Sequence, residues 1–122
     1  MEKEFIHYEQ ALALKELGFD EPCFGFYVPL LNDTQELEIK LIETHGKKIT
    51  LAPTFSQAFR WFREKYSICS WVYQVEENRY FFAQLKNGRY LVTKSSEYNT
   101  YEEAELECLK KLIEIAKEQN VK

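Results

Sequence analysis

The stretch "SWVYQVEENRYFFAQLKNGRYLVTK", residues 70–94, decides the fold. Side chains alternate with a period of two in "SWVYQVE" (70–76), "RYFFAQLK" (79–86) and "RYLVTK" (89–94), the mark of strands with two distinct faces. Asn87-Gly88 stands between the last two, and both residues tolerate the positive φ that a type I′ hairpin turn demands. Glu77-Asn78 offers a second tight turn, so the stretch predicts a three-stranded antiparallel meander. Two tight turns also fix a register, and the register fixes the faces. One face then carries Val72, Phe81, Ala83, Leu85, Tyr90 and Val92, a bed for helices. The other carries Trp71, Tyr73, Val75, Tyr80, Phe82 and Leu91, rimmed by Gln84, Lys86 and Arg89. Both faces are too apolar to leave wet.

Helices flank the meander. In "TFSQAFRWFREKY" (54–66) and "TYEEAELECLKKL" (100–112), Thr54 and Thr100 are caps, with Gln57 and Glu103 three residues on to complete capping boxes. "HYEQALALKELGF" (7–19) repeats the pattern with His7 as a poor cap, and Gly18 ends it in a left-handed position. Phe55, Ala58, Phe59, Phe62 and Tyr66 form one apolar stripe, with Trp61 on its flank between Arg60 and Arg63. The last helix offers Leu106, Leu109, Leu112, Ile113 and Ala116 to a core, and Glu107–Lys111 as an i,i+4 pair.

The first half carries fainter strands: "CFGFYVP" (23–29), "ELEIKLIE" (36–43), a turn at His45-Gly46, and "KKITLA" (47–52) before Pro53. The prediction is an α+β fold in the order α-β-β-β-α-β-β-β-α, one domain over residues 1–122. A shift of 47 residues lays Tyr8 on Phe55, Phe24 on Trp71, Phe26 on Tyr73 and Val28 on Val75. An internal pseudo-repeat and convergence on shared caps both explain that match.

Three cysteines, widely spaced and odd in number (Cys23, Cys69, Cys108), imply free thiols in a reducing cytoplasm. No leader pattern or apolar run of ~20 residues suggests export or a membrane span. The net charge of −4 hides a gradient: residues 1–43 hold three Lys/Arg against ten Asp/Glu, and residues 44–99 hold nine against four. That middle segment also holds twelve of the nineteen aromatics, the one compositional hint of an anionic partner.

The segments "ALALKELGFDEPCFGFY", "LAPTFSQAFRWFREKYSI" and "NTYEEAELECLKKLIEIAKE" resemble small uncharacterised phage and prophage proteins of gut Bacteroidales. The resemblance covers the three helices and their flanks and implies an accessory protein working in the bacterial cytoplasm. It brings no catalytic residue.

Nothing in the residues themselves points to a metal, a cofactor or a catalytic group. His7, His45 and the cysteines show no C-x-x-C or H-x-x-H spacing, and no nucleophile elbow or P-loop is present. Glu76–Glu77 and Glu102–Glu103 read as a turn and a helix N-terminus. The leading expectation is a non-catalytic protein that binds a host or phage protein, or a second copy of itself. Its candidate surface is Trp61, Arg60, Arg63, Trp71, Tyr73, Tyr80, Phe82, Lys86 and Arg89. Packing of the aromatic strands within the chain is the bland reading, as is packing of Trp61 on a neighbouring strand. Single-stranded nucleic acid on Tyr73, Tyr80, Phe82, Lys86 and Arg89 comes second, and a small enzyme third.

Overall fold

The computed structural model describes residues 4–29, 35–39 and 49–121. Its elements follow the predicted order: α1 (Tyr8–Glu16), β1 (Gly25–Pro29), β2 (Gln35–Ile39), β3 (Thr50–Ala52), α2 (Phe55–Tyr66), β4 (Ile68–Glu76), β5 (Arg79–Lys86), β6 (Arg89–Val92) and α3 (Tyr101–Val121). The strands form two separate antiparallel sheets, β2-β1-β3 and β4-β5-β6. The predicted turn at His45-Gly46, and the strand ends at 40–43 and 47–48, lie outside the described residues. The chain divides into two compact units, Met1–Ser56 and Gln57–Lys122.

In the first unit β1 is the middle strand. Gly25 pairs with Ile39 on one side and Ala52 on the other. A Cβ at Gly25 would lie 2.6 Å from the Ala52 carbonyl oxygen and 2.6 Å from the Phe5 ring, so glycine is a steric requirement here. Phe5, Ile6, Ala11, Leu14, Phe19, Cys23, Phe26 and Ala52 are all buried. The end of α1 is a Schellman motif: Gly18 at φ 100° donates to the Lys15 carbonyl, and the Phe19 N–H donates to the Leu14 carbonyl at 2.9 Å. His7 is the N-cap residue and makes no side-chain capping bond.

In the second unit α3 packs on β4 and β5. Thr100 Oγ1 accepts from the Glu103 N–H at 3.1 Å, the predicted cap. The buried stripe of α3 is Ala104, Cys108, Leu109, Leu112, Ile113 and Ala116. Leu106 is only half-buried and Cys108 takes its place in the stripe. Glu107 pairs with Lys110 at 3.4 Å instead of Lys111, whose partner is Glu114 at 3.5 Å. The i,i+3 and i,i+4 neighbours lie equally close on a helix surface, and here the shorter spacing is used.

Asn87 and Gly88 both take positive φ (51° and 81°), as a type I′ turn requires. The other hairpin differs. Only Asn78 of its turn pair is left-handed (φ 59°), and the register slips by one residue between Gln74 and Glu76, leaving Val75 as a bulge. The turn therefore lacks the twist of a primed type, and the extra residue accommodates the mismatch. A second slip between Gln84 and Leu85 makes Leu91 the extra residue of β6.

Candidate functional site

The bulge at Val75 corrects the predicted faces. A slip of one residue exchanges the faces of everything beyond it. Trp71 sits opposite Ala83 and Tyr73 opposite Phe81, whereas Val72 sits opposite Phe82 and Gln74 opposite Tyr80. The side that meets α3 therefore carries Ile68, Ser70, Val72, Tyr80, Phe82 and Gln84. The other side carries Cys69, Trp71, Tyr73, Phe81, Ala83, Leu85 and Tyr90.

The α3 side is closed over its middle, at Phe82 and Gln84, whereas Tyr80 is half-buried and Tyr101 is 45% exposed. Gln84, predicted as rim, is fully buried, and its Nε2 donates to the Cys108 carbonyl at 3.0 Å. Phe82 is buried and stacks on Tyr98 with ring centroids 6.2 Å apart. Tyr80 meets Tyr101 edge-on at 6.4 Å. Burial pushes the Tyr98 and Tyr101 phenols up from their ordinary range. The Cys108 thiol is pushed up to about 11, chiefly by burial.

The opposite side is open. Trp71 is 39% exposed and Tyr90 57%. Their rings meet edge-on at 6.3 Å across β5. Tyr73, half-buried, stacks on Phe81 at 5.8 Å and an interplanar angle of 24°. Ala83, beneath these rings, is the small floor between the two pairs. Lys94 Nζ lies 4.4 Å from the Phe81 ring centre and the Arg79 guanidinium 5.9 Å. Glu97 at 2.8 Å and Glu76 at 3.4 Å hold that guanidinium and raise its pKa further. Such a surface can bury flat or apolar groups against rings and offer a cation at one end.

The predicted surface residues are thus divided. Trp71 and Tyr73 belong to the open face. Tyr80, Phe82 and Lys86 face the α3 side, and Arg89 pairs with Lys86 at the hairpin end. Trp61 is buried (6% exposed), with Phe62 at 5.1 Å, Tyr66 at 5.8 Å and the Lys65 ammonium 4.9 Å from its ring. The buried arc of α2 is turned toward Trp61: Phe55, Ala58, Trp61, Phe62 and Tyr66 are buried, and Phe59 of the predicted stripe is only half-buried. Arg60 and Arg63 are exposed, Arg60 beside Glu64 at 3.7 Å. Phe81, Ala83, Tyr90 and Lys94 are the residues of this side that the expected register concealed; Phe81 and Ala83 are themselves buried (4% and 2% exposed), and Tyr90 and Lys94 are exposed. The signal that exposes them is Glu77, a residue unsuited to positive φ, in the first position of a two-residue turn.

Among the described residues no group of three or more His, Cys, Asp or Glu is placed to hold a metal ion. No helix among them is long and apolar enough to cross a membrane. Protein-family models, curated proteins and solved structures yield no match to the chain.

Proposed function

We propose that this chain is a non-catalytic accessory protein of phage or prophage origin that acts by binding a protein partner through the open face of the second sheet. The observation that carries the reading is the Trp71–Tyr90 and Tyr73–Phe81 pairs standing on the side of the sheet away from α3. Two exposed rings, Trp71 and Tyr90, beside the half-buried Tyr73 on a floor of Phe81 and Ala83, with charge kept to one end, match the composition of protein interface cores. The phage assignment rests on the resemblance of the three helix segments, and the cytoplasm on that resemblance together with the free thiols.

A second reading, stacking of single-stranded nucleic acid, retains one observation: Lys94 over Phe81 beside Tyr73. Its original platform is divided between the two faces, and Arg79 is already paired with Glu76 and Glu97.

Tagged capture from the bacterial host separates the readings. A protein retained by the parent chain and lost with Trp71→Ala or Tyr90→Ala, both still folded by circular dichroism, is the expected result. Equal capture by parent and variants removes the face from consideration. Binding of single-stranded oligonucleotide that weakens steeply with salt and requires Lys94 would favour the second reading instead.

A further inference from the structure

We propose that β4 is a dimerisation edge, pairing antiparallel with β4 of a second copy about a two-fold axis at Val72. This goes beyond the partner reading, because it concerns the backbone edge of the sheet and does not depend on what the open face binds.

The hydrogen-bond directions along β5 set the argument. Tyr80 exchanges backbone bonds with Tyr98 at 2.9 Å in both directions. Phe82 accepts from the Ser95 N–H at 3.0 Å and donates to Ser95 Oγ at 2.8 Å. Tyr80 and Phe82 therefore direct their backbone groups away from β4. Because these directions alternate along an antiparallel strand, Phe81, Ala83 and Leu85 bond with Tyr73, Trp71 and Cys69. On β4 the groups of Ser70, Val72 and Gln74 then point outward, to an edge that no other strand or backbone group covers among the described residues. β4 is nine residues long, holds neither Pro nor Lys, and carries its single charge at Glu76. Isolated edge strands are ordinarily blunted by such residues, by shortness or by bulges, and β4 has only the bulge at its far end.

A two-fold axis at Val72 uses every one of those outward groups. Val72 exchanges bonds with its own copy, and Ser70 with Gln74 of the second chain. Side chains then meet like with like: Val72 on Val72, the polar Ser70 on Gln74, and Trp71 on Tyr73. The last pair occupies the non-hydrogen-bonded position, where cross-strand side chains approach most closely. Moving the axis to Trp71 would set Ser70 against Val72 and lose that match.

Charge also complements in part. Glu77, at the acidic end of each β4 where Glu76 is held by Arg79, arrives where the other copy's chain enters its strand from α2, whose last turn carries Arg63 and Lys65 on either side of Glu64. The contact is isologous, as a two-fold requires. It joins the two open faces edge to edge. With nine residues a side against the ~20–30 of a standard interface, the dimer is of modest affinity and dissociates on dilution.

Light scattering on a sizing column over a dilution series should give twice the 14.6 kDa chain mass at high concentration, falling to one chain on dilution. Gln74→Pro removes an outward N–H while leaving the β5 ladder intact, and weakens the dimer at least ~tenfold because two interchain bonds are lost. If that variant misfolds, Trp71→Lys on the open face tests the same edge without touching the core. A nitroxide on Cys69, the exposed cysteine, reads the register. With the axis at Val72 the two labelled positions lie six residues apart along the paired strands, ~20 Å by the strand rise. A monomer at all concentrations, a dimer indifferent to both variants, or a label distance far from that value overturns the proposal.

Discussion

β1 and β4 occupy corresponding places in the chain, each the first of three strands after a helix, and the 47-residue shift lays Phe26 on Tyr73. Their situations differ. β1 is the middle strand of its sheet, with β2 and β3 on either side, whereas β4 is an edge. Phe26 is 5% exposed, and Tyr73 with Trp71 stands on a face open to solvent. The two halves share an order of elements without sharing a sheet topology. Position in the sheet, more than the pattern of residues along the strand, separates an aromatic that becomes core from one that becomes surface. A middle strand has neighbours on both sides to close around its side chains.

The largest loss of stability is expected from Phe26→Ala. Removing a buried ring from the middle strand should cost about 3–5 kcal/mol in urea unfolding, and a loss below about 1 kcal/mol would place β1 and β4 on equal footing. Next is Gly25→Ala. Its new Cβ would press on the Ala52 carbonyl and the Phe5 ring, so a loss of up to about 3 kcal/mol is expected by the same measurement.

Much of this architecture is legible in the residues. Thr100, Gly18 and the Asn87-Gly88 pair mark a helix start, a helix end and a hairpin by local chemistry alone, and each appears where it is read. The faces of the second sheet are not legible in that way. Val75 is an ordinary strand residue, and nothing in its side chain announces a bulge. The slip arises from the twist of the Glu77-Asn78 turn, so its cause lies outside the strand it reorders. Trp61 is misplaced for a related reason. A stripe drawn from helical spacing has a fixed direction, and only the packed neighbours show which way round the helix burial is turned. The candidate site inherits both effects: Trp71 and Tyr73 share the side away from α3, whereas Tyr80 and Phe82 lie on the α3 side and Trp61 is buried.

The two faces of the second sheet can be compared through their thiols, since Cys108 is on the buried stripe of α3 that packs on one face and Cys69 is on the open side. Burial raises the Cys108 thiol from 9.0 to about 11, so the unfolded chain loses this proton first as pH rises. Stability from this group is therefore full below pH 9 and is lost between pH 9 and about 11, on the order of 2 kcal/mol. Cys23 adds to the same alkaline slope, its thiol likewise pushed up to about 11, mainly by burial. Unfolding free energies across that range should fall less steeply for Cys108→Ala than for the parent. In native protein an aromatic disulfide reagent should modify Cys69 well ahead of the other two thiols.

The smallest expected effect bears most directly on function. Trp71→Ala and Tyr90→Ala remove rings that are 39% and 57% exposed and that lean chiefly on one another. Each should cost on the order of 1–2 kcal/mol, because only the covered part of each ring and one edge-on contact are lost. Combining them should cost less than the sum, since either change already breaks the contact. Beside Phe26, the division of labour is plain: a ring on the middle strand carries stability, and a ring on the open face is free to carry recognition. A loss from Trp71→Ala as large as that from Phe26→Ala, in protein shown by light scattering to be monomeric, would mean that the face is already covered by the chain itself. The aromatic strands would then be core on both sides, and a partner would have no surface there to bind.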